Sequence, residues 1–304
     1  MPGGCVTEEH DFELVRTPMG YLSVRPLPSS EELSAYYAHK YFGDGEAKGA
    51  QYASDYPAEE RTNKTLAARE AAHLASVEAG SVFEVGFGEG FALSWLRERG
   101  WDVSGVDFSA EGLERFHPEL RSHVRIGDAY QVLDEVIDGT SRFDLVICNN
   151  VLEHVRDPEA FLPRLRRLLT PSGLVRIQVP NDGSWIQELA VERGAAQDQF
   201  FVAYPEHLHY FTAAPLRRVL EASGFEVVAL LGDFPIDLFL LNPDSAYTAD
   251  RARGPNCHAA RLAFENALAG RSIEELVAFR SGCAAAGVGR NLIAYARDAS
   301  GKRS

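Results

Sequence analysis

The 304-residue chain has only four cysteines, Cys5, Cys148, Cys257 and Cys283, and no two of them share a pairing or metal-binding spacing. In a chain of this length that excludes a disulfide frame and a cysteine zinc site, and reads as free thiols in a reducing cytoplasm. No apolar run approaches the roughly 18 residues that cross a bilayer, so no membrane association is expected. The first ten residues hold glycine and acid but no basic stretch ahead of an apolar one, so a signal peptide is not expected either. Positive charge is also short. Thirty Lys and Arg against 44 Asp and Glu leave a net charge of −14, the opposite of the basic surface that nucleic acid requires. Arg164, Arg166 and Arg167 cluster, but on one helix face such a cluster is ordinarily solvated. Lysine occurs only at positions 40, 48, 64 and 302 while alanine and arginine are plentiful, the signature of a GC-rich bacterial genome. Internal repeats and low-complexity tracts are missing too.

What is present suits an ordinary globular protein with a sizeable core: 45% hydrophobic and 24% charged residues. Residues 1–60 read as irregular, with scattered Pro and Gly and an aromatic cluster at Tyr36, Tyr37, Tyr41 and Phe42. Residues 62–79 read as a helix stopped by Gly80. Short β-rich runs then alternate with amphipathic helices. The strand candidates are 81–85, 103–107, 124–126, 143–148, 174–179, 225–231 and 291–297. The clearest helix has Asp157 as N-cap and Pro158 in its first turn, with Phe161, Leu162, Leu165, Leu168 and Leu169 on one stripe. This alternation predicts an α/β fold with a mostly parallel, doubly wound sheet. Residues 181–211 and 235–289 break the pattern and read as insertions covering a substrate.

The sharpest local signal is Val82-Phe83-Glu84-Val85-Gly86-Phe87-Gly88-Glu89-Gly90, a strand running into three alternate glycines before a helix opens at Phe91. Glycines there let the chain turn sharply and let a ligand reach backbone N–H groups. About twenty residues on, a second strand ends in Asp107, whose carboxylate can accept from both hydroxyls of a ribose. The plain alternative for Asp107 is a helix N-cap. A pyrophosphate site wants G-x-G-x-x-G, and here the third glycine comes one position early, with Phe91 in its place. Glu84 would also repel a pyrophosphate if it faced the site. The pattern suits a ligand without phosphates.

With these residues in view, the chain resembles the class I S-adenosylmethionine-dependent methyltransferases from about residue 61 to 297. The resemblance implies a Rossmann-like sheet of seven strands, the last antiparallel between the fifth and sixth, and S-adenosyl-L-methionine as cofactor. It places Glu84, Gly86, Gly88 and Gly90 against the methionine part, with Phe87 among them. Asp107, followed by Phe108, falls on the ribose, Asp128 with Ala129 on the adenine, and Asn149 beside the sulfonium. The segment 205–212 (PEHLHYFT) and the end of the chain from Gly287 resemble a subgroup that modifies sugars and other hydroxylated metabolites. Relatives of that kind often carry an N-terminal cysteine-rich zinc ribbon, which this chain lacks.

Methyl transfer from a sulfonium mainly requires alignment of acceptor and methyl, and a hydroxyl acceptor also needs a base. Histidine suits that role near neutral pH. His207 and His209 stand two apart, so in an extended segment they would share one face, and either could instead fix its loop. His154 could border the acceptor or anchor the loop before Asp157. Asn181 and Asp182 could touch substrate or serve as turn residues. Tyr37, Tyr41 and Tyr210 complete the candidate substrate contacts, with core packing as the alternative for the N-terminal tyrosines. No metal is expected. The reading is therefore residues 1–60 as a segment covering the site and 61–304 as the cofactor-binding domain. The partner would be a small molecule, O-methylated as a sugar or nucleotide-linked sugar in natural-product or glycan biosynthesis, with a homo-oligomer left open. N-methylation of an amino sugar, a non-catalytic cofactor-binding protein and a nicotinamide-dependent reductase are the rivals.

Overall fold

In a computed structural model, which describes residues 12–29, 31–33, 35–36 and 53–302, the N-terminal region contains two strands. β1 (Glu13–Arg16) and β2 (Leu22–Arg25) form an antiparallel hairpin. They are four residues each, and the Pro and Gly of their turn mask their alternation in the sequence. α1 (Ala58–Lys64) and α2 (Leu66–Ala75) replace the single helix read over 62–79. Thr65 separates them, and Ser76, not Gly80, ends the second in a left-handed conformation. Gly80 instead sits where a Cβ would lie 2.7 Å from the Asp144 carboxylate.

The alternation then follows the expected course. β3 (Ser81–Val85), α3 (Phe91–Arg97), β4 (Asp102–Asp107), α4 (Glu111–Phe116) and β5 (Val124–Ile126) come first. α5 (Ala129–Asp138), β6 (Phe143–Asn149), α6 (Pro158–Arg167) and β7 (Leu169–Pro180) follow. Asp157 caps α6 by accepting from Ala160 N–H, with Pro158 in the first turn. β7 starts five residues earlier than the apolar run at 174 suggests. α7 (Trp185–Glu192) and β8 (His209–Tyr210) fall within 181–211, and α8 (Ala213–Ala222) leads into β9 (Phe225–Gly232). α9 (Gly254–Arg271), α10 (Ile273–Ala286) and β10 (Asn291–Asp298) complete the chain. Among the described residues no helix is long and apolar enough to cross a membrane.

The large sheet runs β5-β4-β3-β6-β7-β10-β9. The pairs from β5 to β7 are parallel, and β10 lies antiparallel between β7 and β9. Strand residues alternate between two cores, as the pleat requires. Phe83, Val85, Val146, Cys148, Val175 and Ile177 meet one layer of helices, including Leu133, Phe161 and Leu216. Val82, Leu145, Ile147, Leu174 and Tyr295 meet the other, including Ala68, Leu93 and Leu96. β2 also pairs with β8, so a small three-stranded sheet docks beside the carboxyl end of the large one.

The helices of 254–286 were expected over the acceptor. They pack on α1, α2 and β9 instead, with Leu66, Ala269 and Leu276 in one cluster. Buried ions reinforce this packing. Arg176 Nε donates to Tyr295 OH (3.0 Å), which donates to Glu70 (2.7 Å). Arg280 then joins Glu70 (2.8 Å) to Glu265 (2.5 Å). All five side chains are at most 5% exposed, so each charge depends on its neighbour for solvation.

Candidate functional site

Three parallel strands, β3, β4 and β6, end side by side, and their carboxyl ends open onto one cavity of about 310 Å³. This is where ligands bind in open α/β sheets. After β3 the chain turns through Gly86 (φ +76°) and enters α3 from Gly90 (φ +79°). A Cβ at position 86 would lie 2.6 Å from a Val151 methyl, and one at position 90 would lie 2.5 Å from a Leu113 methyl. Only glycine permits both the left-handed turn and these approaches.

Asp107 lines the cavity and also holds the glycine turn, accepting from Gly88 N–H (2.9 Å) and Ser109 N–H (3.1 Å). Burial pushes its carboxyl up, and the backbone donors of Gly88, Ser109 and Phe108 pull it back. It does not cap α4, whose N-cap position is Ala110. A carboxylate has about four acceptor sites, which leaves capacity for a hydroxyl pair. Phe108 and Ala129 line the same cavity, Phe108 as a 42% exposed ring at its rim. Asp128 is exposed and caps α5 through Gln131 N–H (3.0 Å), with its second oxygen uncommitted among the described residues.

The other candidates for the cofactor divide. Gly86 and Asn149 line the cavity, and Arg176 of the neighbouring strand β7 donates to the Asn149 amide oxygen. Phe87 is buried in the core against Gly105. Glu84 is 4% exposed, does not line this cavity and has one oxygen, Oε2, buried without a partner among the described residues. Burial raises its carboxyl to about 8, opposed by Arg176. Among the described residues, the lining of this cavity contains no Lys or Arg to neutralise phosphates. A carboxylate for two hydroxyls, a close glycine turn and this absence of cations fit an adenosyl group bearing an amino-acid end.

His154, Glu206 and His207 also line the cavity. Leu208 and His209 N–H groups both donate to the Glu153 carbonyl (2.8 and 3.2 Å), which clasps the loop after β6 to the turn before β8. His154 Nδ1 lies 2.7 Å from the Glu206 carbonyl. The His154 and His207 rings meet edge to face at 4.9 Å. Next to His154 in the chain, Glu153 is 1% exposed with both carboxylate oxygens unpartnered among the described residues, and burial raises it to about 8. Nothing in the sequence signalled Glu153, because its burial depends on a partner segment more than fifty residues away. Glu206, Gly127, Asn150 and Val151 also line the cavity without having been singled out.

His207 and His209 do not share a face. Pairing of β8 with β2 buries His209 against Tyr21 (5.4 Å, edge-on) and Phe211, and burial lowers its imidazole to about 4. It is a packing residue. Asn181 is buried and donates to the carbonyls of Gly287 (3.3 Å) and Gly289 (2.9 Å), fixing the turn before β10. Tyr210 donates to the His207 carbonyl (2.9 Å) from within the small sheet's core. Neither reaches the cavity. Asp182 is bonded to Arg290 (2.7 Å) and lies 3.9 Å from His207 Nδ1, behind the imidazole. Tyr36 donates to the Glu206 carboxylate (2.5 Å), whereas Tyr37 and Tyr41 lie outside the described residues.

A family model described as a methyltransferase domain matches residues 56–230. The ubiquinone biosynthesis O-methyltransferase of Erwinia tasmaniensis is 30% identical over 161 residues, which cover 49% of this chain and 66% of that protein. Its counterpart from Rhodopseudomonas palustris is 34% identical over 115 residues, covering 37% and 45%. The match thus spans less than two-thirds of either relative. The solved structure of Burkholderia thailandensis 1,6-didemethyltoxoflavin-N1-methyltransferase, with 1,6-didemethyltoxoflavin and S-adenosylhomocysteine bound, shares the fold. Its TM-score is 0.50 over 95% of this chain and 99% of that one, at 17% identity.

Proposed function

This chain belongs to the S-adenosylmethionine-dependent methyltransferases, and from that premise we propose that it methylates a hydroxyl group of a small polyhydroxylated acceptor. A sugar or nucleotide-linked sugar of natural-product or glycan biosynthesis is the class intended. The observation that carries this reading is the continuity of one cavity. Asp107, Gly86, Asn149, His154 and His207 all line it.

The cofactor supplies an electrophilic methyl whose leaving group is a neutral thioether. What remains for the protein is placement and proton removal. Asp107 would hold the ribose hydroxyls, and the Gly86 turn would accept the amino-acid end. Asn149, braced by Arg176, would border the sulfur. The acceptor oxygen would then lie toward His154 and His207. As its O–C bond forms and the S–C bond breaks, the hydroxyl proton must leave, and two imidazoles beside a buried carboxylate ease that departure. A neutral amine would need no such corner, which favours oxygen as the acceptor atom. The names of the Erwinia and Rhodopseudomonas relatives, O-methyltransferases both, agree with that choice. Asn150 and Glu206 add polar groups suited to further hydroxyls. The Tyr36–Glu206 bond supports residues 1–60 as a segment closing over the acceptor side.

The test is incubation with methyl-labelled S-adenosylmethionine and matched sets of sugars, nucleotide-linked sugars and their amino counterparts. Label recovered as a methyl ether is the expected result. Label recovered only on nitrogen, with every hydroxylated acceptor inert, would overturn the assignment.

A further inference from the structure

We propose that Glu153, His154 and His207 form a binding site for a single divalent transition cation of the zinc or manganese type. The spacing of acids and histidines in the sequence is not specific enough to predict it, and no metal was expected. The inference deepens the O-methylation reading, and rests on it only for the cation's role.

The three side chains offer a carboxylate oxygen and two imidazole nitrogens that all lie within 4.8 Å of one another. Donors around zinc sit about 3.4 Å apart when each bond is about 2.1 Å, so rotation of the side chains by roughly an ångström closes the set. Two imidazoles with one carboxylate suit zinc, manganese or iron(II), and leave positions open for an exogenous oxygen. Magnesium and calcium, which prefer oxygen throughout, suit this set less well.

Two further observations point to a ligand. Glu153 is 1% exposed, yet among the described residues neither carboxylate oxygen has a hydrogen-bond partner. Such a group is expensive to bury unless something charged occupies the space before it. The second observation is the tautomer of His154. Its Nδ1 lies 2.7 Å from the Glu206 carbonyl, which can only accept, so Nδ1 carries the hydrogen. The lone pair is then on Nε2, the atom 3.9 Å from the Glu153 carboxylate. An imidazole that donates one N–H to a carbonyl and turns the other nitrogen inward has the arrangement that orients metal-binding histidines. Asp182, held by Arg290, places a carboxylate 3.9 Å from His207 Nδ1, a nearby charge rather than a hydrogen bond.

The clasp of Leu208 and His209 N–H groups on the Glu153 carbonyl fixes both loops before any ion arrives. His154 and His207 line the cavity, so the open positions face the acceptor. A hydroxyl bound there would ionise and release its proton to bulk water. Its oxygen lone pair would then form the O–C bond while the S–C electrons leave with sulfur.

The experiment is titration of Co²⁺ into chelator-stripped full-length protein, followed by its visible ligand-field absorption, with Zn²⁺ as competitor. One equivalent should bind and be displaced by Zn²⁺. Glu153→Gln and His207→Ala should each weaken Co²⁺ by about 100-fold or more, since loss of a supporting partner alone costs 10–100-fold. S-adenosylhomocysteine binding should persist in both variants, which establishes that they fold. Absence of Co²⁺ absorption, or equal affinity in the variants, would overturn the site. So would undiminished methylation by stripped protein, an outcome that leaves the O-methylation reading intact. Co²⁺ bound through these residues without any methylated product would uphold the site while removing that reading.

Discussion

Replacing His207 by alanine is expected to lower kcat for methyl transfer by about 10²–10⁴-fold, the usual worth of a group that handles a proton in the transition state. The affinity for S-adenosylhomocysteine should stay essentially unchanged, because the residues assigned to the cofactor are Asp107, Asn149 and the glycine turn, not His207. The expectation holds whether the imidazole takes the proton itself or binds a cation that acidifies the hydroxyl. His209 supplies the contrast. It is two residues away, yet its ring packs on Tyr21 and Phe211 outside the cavity, so His209→Phe should retain most activity. Steady-state kinetics with a responsive acceptor, beside calorimetry with S-adenosylhomocysteine, separates the two variants. A His207→Ala enzyme with most of its kcat would remove this imidazole from the reaction.

The second large effect concerns stability. Arg280 lies between Glu70 and Glu265, all three within 5% of full burial. Arg280→Ala would remove the cation that two buried carboxylates share, leaving Glu265 only Arg261 (3.1 Å) and Glu70 only the more distant Arg176 (3.7 Å); breaking a buried pair in this way costs about 3–5 kcal/mol. Urea denaturation should show a loss of that size, and Arg280→Lys, which keeps a charge but not the two-armed fork, should lose less. The pH dependence follows from Glu265. Burial alone would raise its carboxyl, but Arg280 and Arg261 hold it below its ordinary value of 4.5. A depressed carboxyl stabilises the fold above 4.5, and that contribution disappears as pH falls below it. The acid loss should therefore be shallower in Arg280→Ala than in the native chain. A variant as stable as the native protein would mean that the network contributes packing and little more.

The large sheet was legible because its strands are continuous apolar runs between turn residues, and because Asp157-Pro158 marks a helix start without tertiary help. All seven strands lie where those runs stand. The small sheet was not legible. β1 and β2 are four residues each and β8 is two, so their partners rather than their residues define them. The helices of 254–286 went unread because their packing faces are broken by polar residues such as Glu265 and Arg280, which the ion network buries. At the site, Asp107 and Gly86 could be read since a turn and a strand end are local features. The acceptor side could not. Spacing puts His207 and His209 on one face of an extended segment, but the chain is still turning at His207 and enters the strand only at His209. Glu153 reads as a loop acid and becomes a buried carboxylate only when the turn before β8 closes over it.

The most direct measurement is calorimetric titration of S-adenosylmethionine, S-adenosylhomocysteine and NAD into the native protein and into Asp107→Asn. The two adenosyl-sulfur ligands should bind at one site per chain and NAD should not. The substitution should weaken both by about 10–100-fold, equivalent to one charge-assisted hydrogen bond of about 1.5–3 kcal/mol. Equal affinity in Asp107→Asn, or binding of NAD in their place, would contradict the assignment of this cavity to the cofactor.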